Sequence, residues 1–230
     1  MADPRPSGRQ AEARHNDAAI LAAARAVFVA DPDAPVSAVV DHAGVNVSSL
    51  YRRFASKEDL LRRLCADGLL TYVEIARRAA DDIERDDGDP WPVFVRFMEA
   101  IVDADTHALT IRLAGRFRPT EAEHRDAAEA AALNERLVRR AQAAGVLRED
   151  VVPHDLSFVF EQLSNLSGAT PERTRELRAR YLTLHLDALR APGRTPLPGP
   201  PPSQDELGAR WDPGSGRRQP PRARRPDSLR

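Results

Sequence analysis

Residues 46–57 bring small polar, hydroxyl and cationic side chains together in a short stretch of chain. Val47, Ser48 and Ser49 are small enough to let a backbone approach the base edges of duplex DNA. Tyr51 then adds a hydroxyl, and the stretch also holds three cations suited to phosphate oxygens, which are Arg52, Arg53 and Lys57. The chemistry that this stretch predicts is contact with the grooves and the backbone of a nucleic acid.

Two short helices joined by a tight turn are expected to position these side chains. Before the turn, apolar residues repeat with helical spacing at Val36, Val39, Val40 and Ala43. Gly44 can adopt the positive φ that such a turn needs, and Asn46 is a good N-cap for the helix that follows. Leu50 and Phe54 mark the buried side of this second helix. The pattern predicts a helix-turn-helix at about residues 35–54.

Three segments of this region resemble the TetR family (TetR/AcrR type) of bacterial transcription regulators. They read Ala43-Gly44-Val45, Leu50-Tyr51-Arg52-x-Phe54 and Ser56-Lys57-Glu58-x-Leu60-Leu61. The combination is far more specific than a helix-turn-helix pattern alone. The resemblance implies a DNA-binding domain at residues 14–62 and a helical domain for ligand binding and dimerisation at residues 63–190.

The resemblance also implies roles for individual residues. Val47, Ser48 and Ser49 would face bases, whereas Tyr51, Arg53 and Lys57 would face phosphates. The family often has Ser or Thr at the start of the second helix, where this chain reads Asp31-Pro32-Asp33-Ala34-Pro35, so Ser37 is the candidate substitute. The full set of candidate DNA-contacting residues is Ser37, Asn46, Val47, Ser48, Ser49, Tyr51, Arg52, Arg53 and Lys57.

Composition excludes several other classes of protein. The chain has 230 residues, 30% charged and 42% hydrophobic, as expected of a soluble folded protein. No apolar run approaches the roughly 20 residues that span a bilayer, and residues 1–10 do not resemble a secretory signal. Cys65 is the single cysteine, which excludes an internal disulfide and a cysteine-based zinc site. These features predict a cytoplasmic protein with no membrane partner.

Helical periodicity continues along most of the chain. No convincing alternation typical of strands occurs, so the fold class is predicted to be all-α with about nine helices. The first helix is expected to begin after an N-cap at Asn16, with residues 1–13 disordered. Thr120 and Glu123 predict a capping box before a long helix, and Thr170-Pro171 is expected to open the last one. Residues 191–230 contain ten prolines and carry a net charge of +4, and they predict a disordered tail rich in Pro and Arg. Its arginines could add non-specific contacts to nucleic acid.

Two sets of apolar residues are candidates for sites in the second domain. A ligand pocket between helices, as in relatives that bind small molecules, could be lined by Phe94, Phe97, Met98, Leu109, Leu113 and Phe117, although the same residues could simply fill a core. The resemblance implies a dimer interface formed by the last two helices, with outward candidates at Phe158, Gln162, Leu166, Leu182 and Leu186.

The function expected from these features is a homodimeric repressor that a small-molecule effector releases from a near-palindromic operator. No cofactor, metal or catalytic residue is predicted, because the sequence has no Gly-rich phosphate loop, nucleophile elbow or metal-ligand spacing of histidines. One alternative is a constitutive DNA-binding or architectural dimer without an effector pocket. Another is a helical enzyme or adaptor that has kept only the three N-terminal helices.

Overall fold

A computed structural model describes residues 8–85, 88–193 and 195–211. Its helices are α1 (Gly8–Ala30), α2 (Val36–Ala43), α3 (Val47–Tyr51), α4 (Lys57–Arg85), α5 (Trp91–Ala104), α6 (Thr106–Leu113), α7 (Glu121–Ala143), α8 (Pro153–Ser164), α9 (Pro171–Leu189) and α10 (Gln204–Gly208), followed by a 3-10 turn at Ala209–Trp211. Within the described residues the fold is all helical, as predicted, and none of these helices is long and apolar enough to cross a bilayer.

Residues that the sequence marks as helix ends cap the helices locally. Asn46 Oδ1 accepts the Ser49 N–H (2.8 Å) at the start of α3. Thr120 and Glu123 form a reciprocal capping box at α7, in which the Thr120 hydroxyl accepts the Glu123 N–H (3.3 Å). The Thr170 hydroxyl accepts a backbone N–H in the first turn of α9 (3.1 Å). Because each cap uses residues three apart in sequence, local spacing was enough to predict them.

The first hydrophobic core belongs to α1–α3 and the start of α4. Its fully buried side chains are Ile20, Phe28, Val39, Leu50 and Leu60. The same core extends into α6, which places Leu109, Leu113 and Phe117 against the N-terminal helices. The N-terminal domain therefore shares its interior with a helix that follows it by some fifty residues in the chain.

The second core lies between α4, α5, α7, α8 and α9. Tyr72 lies inside this core. Its hydroxyl donates to Asn134 Oδ1 (3.0 Å) and accepts a hydrogen bond from Asn134 Nδ2 (2.8 Å). Phe97 and Phe160 meet the Tyr72 ring edge to face at 6.2 and 6.3 Å. Helix α4 contributes to both cores, and at 1.5 Å per residue its 29 residues measure about 43 Å. It is the element that joins the two domains.

Both predicted boundaries of disorder need correction. Helix α1 begins at Gly8, so Asn16 lies inside the helix and residues 8–13 are helical; the segment Gln10–Arg14 consists of good helix formers. At the other end, residues 195–211 form specific contacts with the body of the protein, so the boundary at residue 191 is too early. Residues 1–7 and 212–230, the latter with six arginines, lie outside the described residues.

Candidate nucleic-acid interface

The turn between α2 and α3 depends on the backbone of Gly44. Its φ is +64°, and its N–H bonds the Val40 carbonyl to end α2. A side chain here would meet no heavy atom within 4 Å, so the requirement for glycine is conformational rather than steric. This turn sets the direction in which α3 leaves the body of the domain.

The first turn of α3 is an exposed polar tip. Val47 is 48% exposed and Ser48 is also exposed, whereas Ser49 is half-buried. Ser48 Oγ donates to Asn46 Oδ1 (2.8 Å), so the capping side chain also orients the neighbouring hydroxyl. Leu50 on the opposite side is completely buried and fixes the helix to the first core. The tip thus presents small side chains on a helix whose opposite side is buried.

Three further predicted residues are exposed to solvent. Tyr51 is 50% exposed at the end of α3. Arg52 is exposed, and its Nη2 lies 3.4 Å from Ser49 Oγ. Ser37 is exposed in the first turn of α2. These side chains carry two hydroxyls and a guanidinium, and each group can donate a hydrogen bond to a phosphate oxygen.

Arg53 does not point outward with its neighbours. It forms a salt bridge with Asp17 of α1, and only 18% of its side chain is exposed. The predicted phosphate contact is therefore corrected to an internal one that holds α3 against α1. Arg53 lies in the turn after α3, where its N–H bonds the Leu50 carbonyl (3.0 Å), and this spacing of three residues places it on nearly the same side as the buried Leu50.

Lys57 is also directed inward. Its Nζ donates to the Ala34 carbonyl (2.7 Å) and lies 5.2 Å from the centre of the Phe28 ring. The loop between α1 and α2 contains Pro32 and Pro35, which lack N–H groups, and Lys57 supplies a donor to its carbonyls. In this structure the ammonium group anchors the loop, whereas the sequence had predicted a phosphate clamp.

The six predicted pocket residues are core residues. Phe94, Phe97 and Met98 are at most 1% exposed in the second core. The other three, Leu109, Leu113 and Phe117, belong to the first core. They are divided between two interiors because α6 packs toward the N-terminal helices. The prediction of a common pocket at these residues is wrong.

A small cavity opens elsewhere, at the junction of α5, α6, α8 and α9. Its volume is about 10 Å³, close to the space of one water molecule. Its lining is part apolar and part polar and comprises Ile101, Val102, Asp105, His107, Phe160, Leu163, Ser164 and Arg178. Sequence reasoning missed it because the four helices meet only in the folded chain.

The polar side of this cavity holds a partly buried ion pair and a histidine. Arg178 Nη1 lies 2.9 Å from Asp105 Oδ1, and Arg178 Nη2 donates to the Ser164 carbonyl (3.1 Å). The His107 ring packs 5.1 Å from the Phe160 ring, and burial lowers the pKa of His107 to about 4. At neutral pH this imidazole is uncharged.

The predicted dimer residues divide into two groups. Leu182 and Leu186 are buried in the second core, so their assignment to the outside is wrong. Phe158 and Leu166 are half-buried and Gln162 is exposed. The exposed apolar stripe of α9 instead carries Tyr181 and Leu184, the latter 54% exposed. Because α9 is apolar over a wide arc, its sequence did not reveal which stripe faces the core.

Cys65 is buried in the first core, and burial raises the pKa of its thiol to about 12. A thiol that stays protonated is a poor nucleophile and a poor metal ligand. Cys65 therefore serves as a small core residue.

Two family models match the chain. The model described as "Bacterial regulatory proteins, tetR family" matches residues 20–64, which include the whole surface described above. The model described as "Transcriptional regulator SbtR-like, C-terminal domain" matches residues 89–191. Together the two span more than half of the chain. No protein with a curated description matches it.

Solved structures of similar proteins cover most of the chain. A TetR transcription regulatory protein from Mycobacterium vanbaalenii is 25% identical and covers 79% of this chain and 99% of its own, with a TM-score of 0.49. The regulator PfmR from Thermus thermophilus is 21% identical and covers 76% and 98%, with a TM-score of 0.52. A gamma-butyrolactone receptor (ArpA-like protein) is 22% identical and covers 79% and 91%, with a TM-score of 0.50. The last two share the fold with this chain.

Proposed function

Because the chain belongs to the TetR family of bacterial transcription regulators, we propose that it binds operator DNA as a homodimer and represses transcription until a small molecule releases it. The observation that carries the proposal is the exposed tip of α3. Small side chains are exposed there on a helix whose other face is buried. Exposed hydroxyl and guanidinium groups can also donate hydrogen bonds to phosphates.

The tip of α3 is the part that enters the major groove. Val47, Ser48 and Ser49 contact base edges, since the first turn of a recognition helix reaches deepest into the groove. Tyr51 and Arg52 bind phosphates on one side of the groove, and Ser37 at the start of α2 binds a further phosphate. These contacts fix the register in which the bases are read.

Arg53 and Lys57 have a positioning role in this proposal. The pair between Arg53 and Asp17 ties α3 to α1, and Lys57 ties the start of α4 to the loop at Ala34. Both contacts restrict the angle at which the tip is presented. A displaced tip loses its contacts with the bases even when every contacting side chain remains.

Dimerisation places two such tips on one operator. The candidate interface is the outer side of α8 and α9, where Tyr181, Leu184 and Gln162 are exposed. Exposed apolar groups on α9 favour association with a second copy. Two recognition helices about 34–36 Å apart would enter successive major grooves of a near-palindromic site.

The effector site of the proposal is the cavity at His107 and Arg178. A ligand that binds better to a geometry unable to bind DNA would shift the equilibrium toward that geometry. Helix α6 is suited to transmit the change, because His107 lines the cavity while Leu109 and Leu113 lie in the first core. Movement of α6 would therefore displace side chains in the core that supports the DNA-binding helices.

A second candidate function is constitutive binding by a dimer without an effector. The observation in its favour is the packing of the second domain, in which Phe94, Phe97 and Met98 are almost completely buried. The cavity of about 10 Å³ must also enlarge before it can hold a ligand of several atoms. A compound that releases the protein from its operator would favour the effector-released repressor over the constitutive dimer.

Selection of bound fragments from fragmented genomic DNA of the source organism tests the proposal. The purified full chain should enrich a few fragments, and a footprint on them should show two half-sites one helical turn apart. A variant with Ser48→Arg should lose this enrichment because a bulky side chain keeps the backbone away from the bases. Enrichment of no fragment by the wild-type protein would overturn DNA binding as the function.

A further inference from the structure

The cavity at the junction of α5, α6, α8 and α9 carries one positive charge. Of the eight residues that line it, only Arg178 is cationic at neutral pH, because the His107 imidazole is uncharged there. The apolar part of the lining consists of Ile101, Val102, Phe160 and Leu163. A guanidinium beside apolar walls suits a ligand that has an anionic group and an apolar body.

Arg178 does not use all of its hydrogen-bond donors. Its Nη1 is paired with Asp105, and its Nη2 donates to the Ser164 carbonyl. Its Nε is buried and has no hydrogen-bond partner among the described residues. Because a buried donor without a partner costs free energy, an acceptor that reaches this guanidinium gains a bond that the fold does not supply.

Asp105 is the member of the ion pair that can leave. Of its side chain 35% is exposed, against 13% for Arg178. Arg178 is also held by Ser164 of α8, so the Asp105 carboxylate can turn toward solvent more easily than the guanidinium. A ligand carboxylate can therefore replace Asp105 on Arg178, one negative charge for another. A cationic ligand would instead have to displace the more buried Arg178.

Asp105 also sets the angle between α5 and α6. It is the single residue between Ala104, the end of α5, and Thr106, the start of α6. Its φ is +48°, a left-handed conformation that non-glycine residues seldom adopt. An aspartate at the start of a helix usually has an extended backbone and caps the helix with its carboxylate, but Asp105 makes no such side-chain bond. Pairing with Arg178 therefore competes with capping of α6.

The backbone of Asp105 is bonded directly to the DNA-binding domain. Its carbonyl accepts a hydrogen bond from Arg25 Nη1 of α1 (3.3 Å). Arg25 follows Ala24, which is completely buried in the first core. A change in the backbone conformation of Asp105 would move this carbonyl and alter its bond to α1.

We propose that the effector is a monocarboxylate with a small apolar body, and that its carboxylate displaces Asp105 from Arg178. The inference rests on the proposed function and names the class of the ligand and the way in which it acts. The freed Asp105 takes up an extended backbone and caps α6. The angle between α5 and α6 then changes, which enlarges the cavity for the apolar body and breaks the bond to Arg25. A doubly charged phosphate group fits less well, because the lining has one cation only.

Binding of hexanoate and of benzoate to the purified full chain tests the ligand class without DNA. The uncharged amides of the same shape, hexanamide and benzamide, are matched controls, and hexylammonium supplies the opposite charge. Calorimetry at neutral pH and millimolar ligand should show that a carboxylate binds about tenfold more tightly than its amide, since only the carboxylate forms charge-assisted bonds with Arg178. Failure of both carboxylates to bind would overturn the proposal, as would equal or tighter binding of an amide or of hexylammonium.

Substitution of Asp105 tests the exchange of carboxylates. Asp105→Asn should bind the carboxylate about tenfold more tightly than wild type, because the competing charge is removed. The control Asp103→Asn removes the same charge from an exposed position two residues away and should leave the affinity unchanged. Arg178→Gln should abolish the preference for carboxylate over amide. If Arg178→Gln does not fold, Asp105→Asn decides the matter, and wild-type affinity in that variant would overturn the exchange.

Operator binding tests the path through Arg25. A saturating carboxylate should weaken binding of wild type to the selected operator by about tenfold, measured by fluorescence anisotropy. Arg25→Met keeps the apolar stem of the side chain and removes its donors. This variant should bind the carboxylate as wild type does, but its operator affinity should change much less when the carboxylate is added. A full response in Arg25→Met would overturn the path through α1.

The outcomes separate this inference from the proposed function. If the full chain selects no DNA, the proposed function fails, and with it the effector role of the carboxylate. If the chain selects DNA and neither carboxylate binds, only the inference fails. Binding of a carboxylate that leaves the operator affinity of wild type unchanged would also overturn it, because the ligand would then not be an effector.

Discussion

At the scale of single residues, position relative to the α3 tip decides what each polar side chain can do. Tyr51 and Tyr72 show the contrast, since one hydroxyl is exposed to solvent and the other bonds Asn134 inside the second core. The exposed hydroxyl is available to a phosphate, whereas the buried one is committed to the fold. The same chemical change at the two positions should therefore affect different properties.

Tyr51→Phe should weaken operator binding by about five- to tenfold, because it removes a phosphate contact worth roughly 1 kcal/mol. Its free energy of unfolding should not change, since the hydroxyl is exposed. The matched variant Tyr72→Phe should lower the free energy of unfolding by about 1–3 kcal/mol, because Asn134 loses its buried partner. Fluorescence anisotropy with labelled operator and urea denaturation measure the two effects. Equal operator affinity of Tyr51→Phe and wild type would contradict the phosphate contact.

Lys57→Ala should act through stability as well as through DNA binding. Loss of the bond to the Ala34 carbonyl and of the contact with Phe28 should lower the free energy of unfolding by about 1–2 kcal/mol. A positioning role predicts weaker operator binding with an unchanged salt slope, since no counterion is released at this residue. Operator titrations at several salt concentrations separate a positioning role from a direct phosphate contact. A slope of log K against log salt that is reduced by about 0.9 would show the direct contact.

At the scale of helices, local signals predicted more than tertiary ones. The α2–α3 turn, its cap at Asn46 and the capping box at Thr120 all depend on neighbours three or four residues apart, so the sequence was sufficient. The inward turn of Arg53 depends on Asp17, which is 36 residues away in the chain. No local pattern contains that information. The predicted pocket failed for the same reason, because α6 packs against helices distant in sequence.

Helix α9 shows the limit of amphipathic patterns. It has two apolar stripes. In the folded chain, Leu186 on one stripe is buried and Leu184 on the other is exposed. The sequence had placed Leu186 on the outside. A wide apolar arc is expected of a helix that packs against its own core on one side and against another molecule on the other. The exposed stripe is therefore the better candidate for the dimer interface.

Alanine substitutions on the two stripes of α9 should have opposite effects. Leu186→Ala should lower the free energy of unfolding by about 2–5 kcal/mol, because it creates a cavity in the second core. Leu184→Ala should leave the folded subunit intact and weaken self-association. Sedimentation over a range of protein concentrations reports the second effect, and denaturation at one fixed concentration reports the first. A dimer of unchanged affinity in Leu184→Ala would place the interface elsewhere.

At the scale of the whole molecule, two helices link the two cores. Helix α4 passes through both, and α6 joins the cavity at one end to the first core at the other. The junction of α5 and α6 is further tied to α9 by the pair between Arg178 and Asp105, and to α1 by a hydrogen bond of 3.3 Å from Arg25 to the Asp105 carbonyl. A change at the cavity therefore has a direct physical route to the DNA-binding helices.

His107 makes this junction sensitive to pH. Its pKa is lowered from 6.5 to about 4 in the folded protein, so between these values the unfolded chain binds more protons than the folded one. Stability must therefore rise with pH over this range, and acidification from pH 6.5 toward 4 should cost up to roughly 3 kcal/mol from this residue.

The variant His107→Phe keeps an aromatic ring against Phe160 and Tyr72 and removes the titration. Urea denaturation at a series of pH values should show that its free energy of unfolding falls less steeply than that of wild type between pH 6.5 and 4. Other groups titrate in both proteins, so the difference between the two curves isolates His107. Parallel curves would mean that this histidine is accessible enough to accept its proton in the folded state, and hence that the cavity is already open to water.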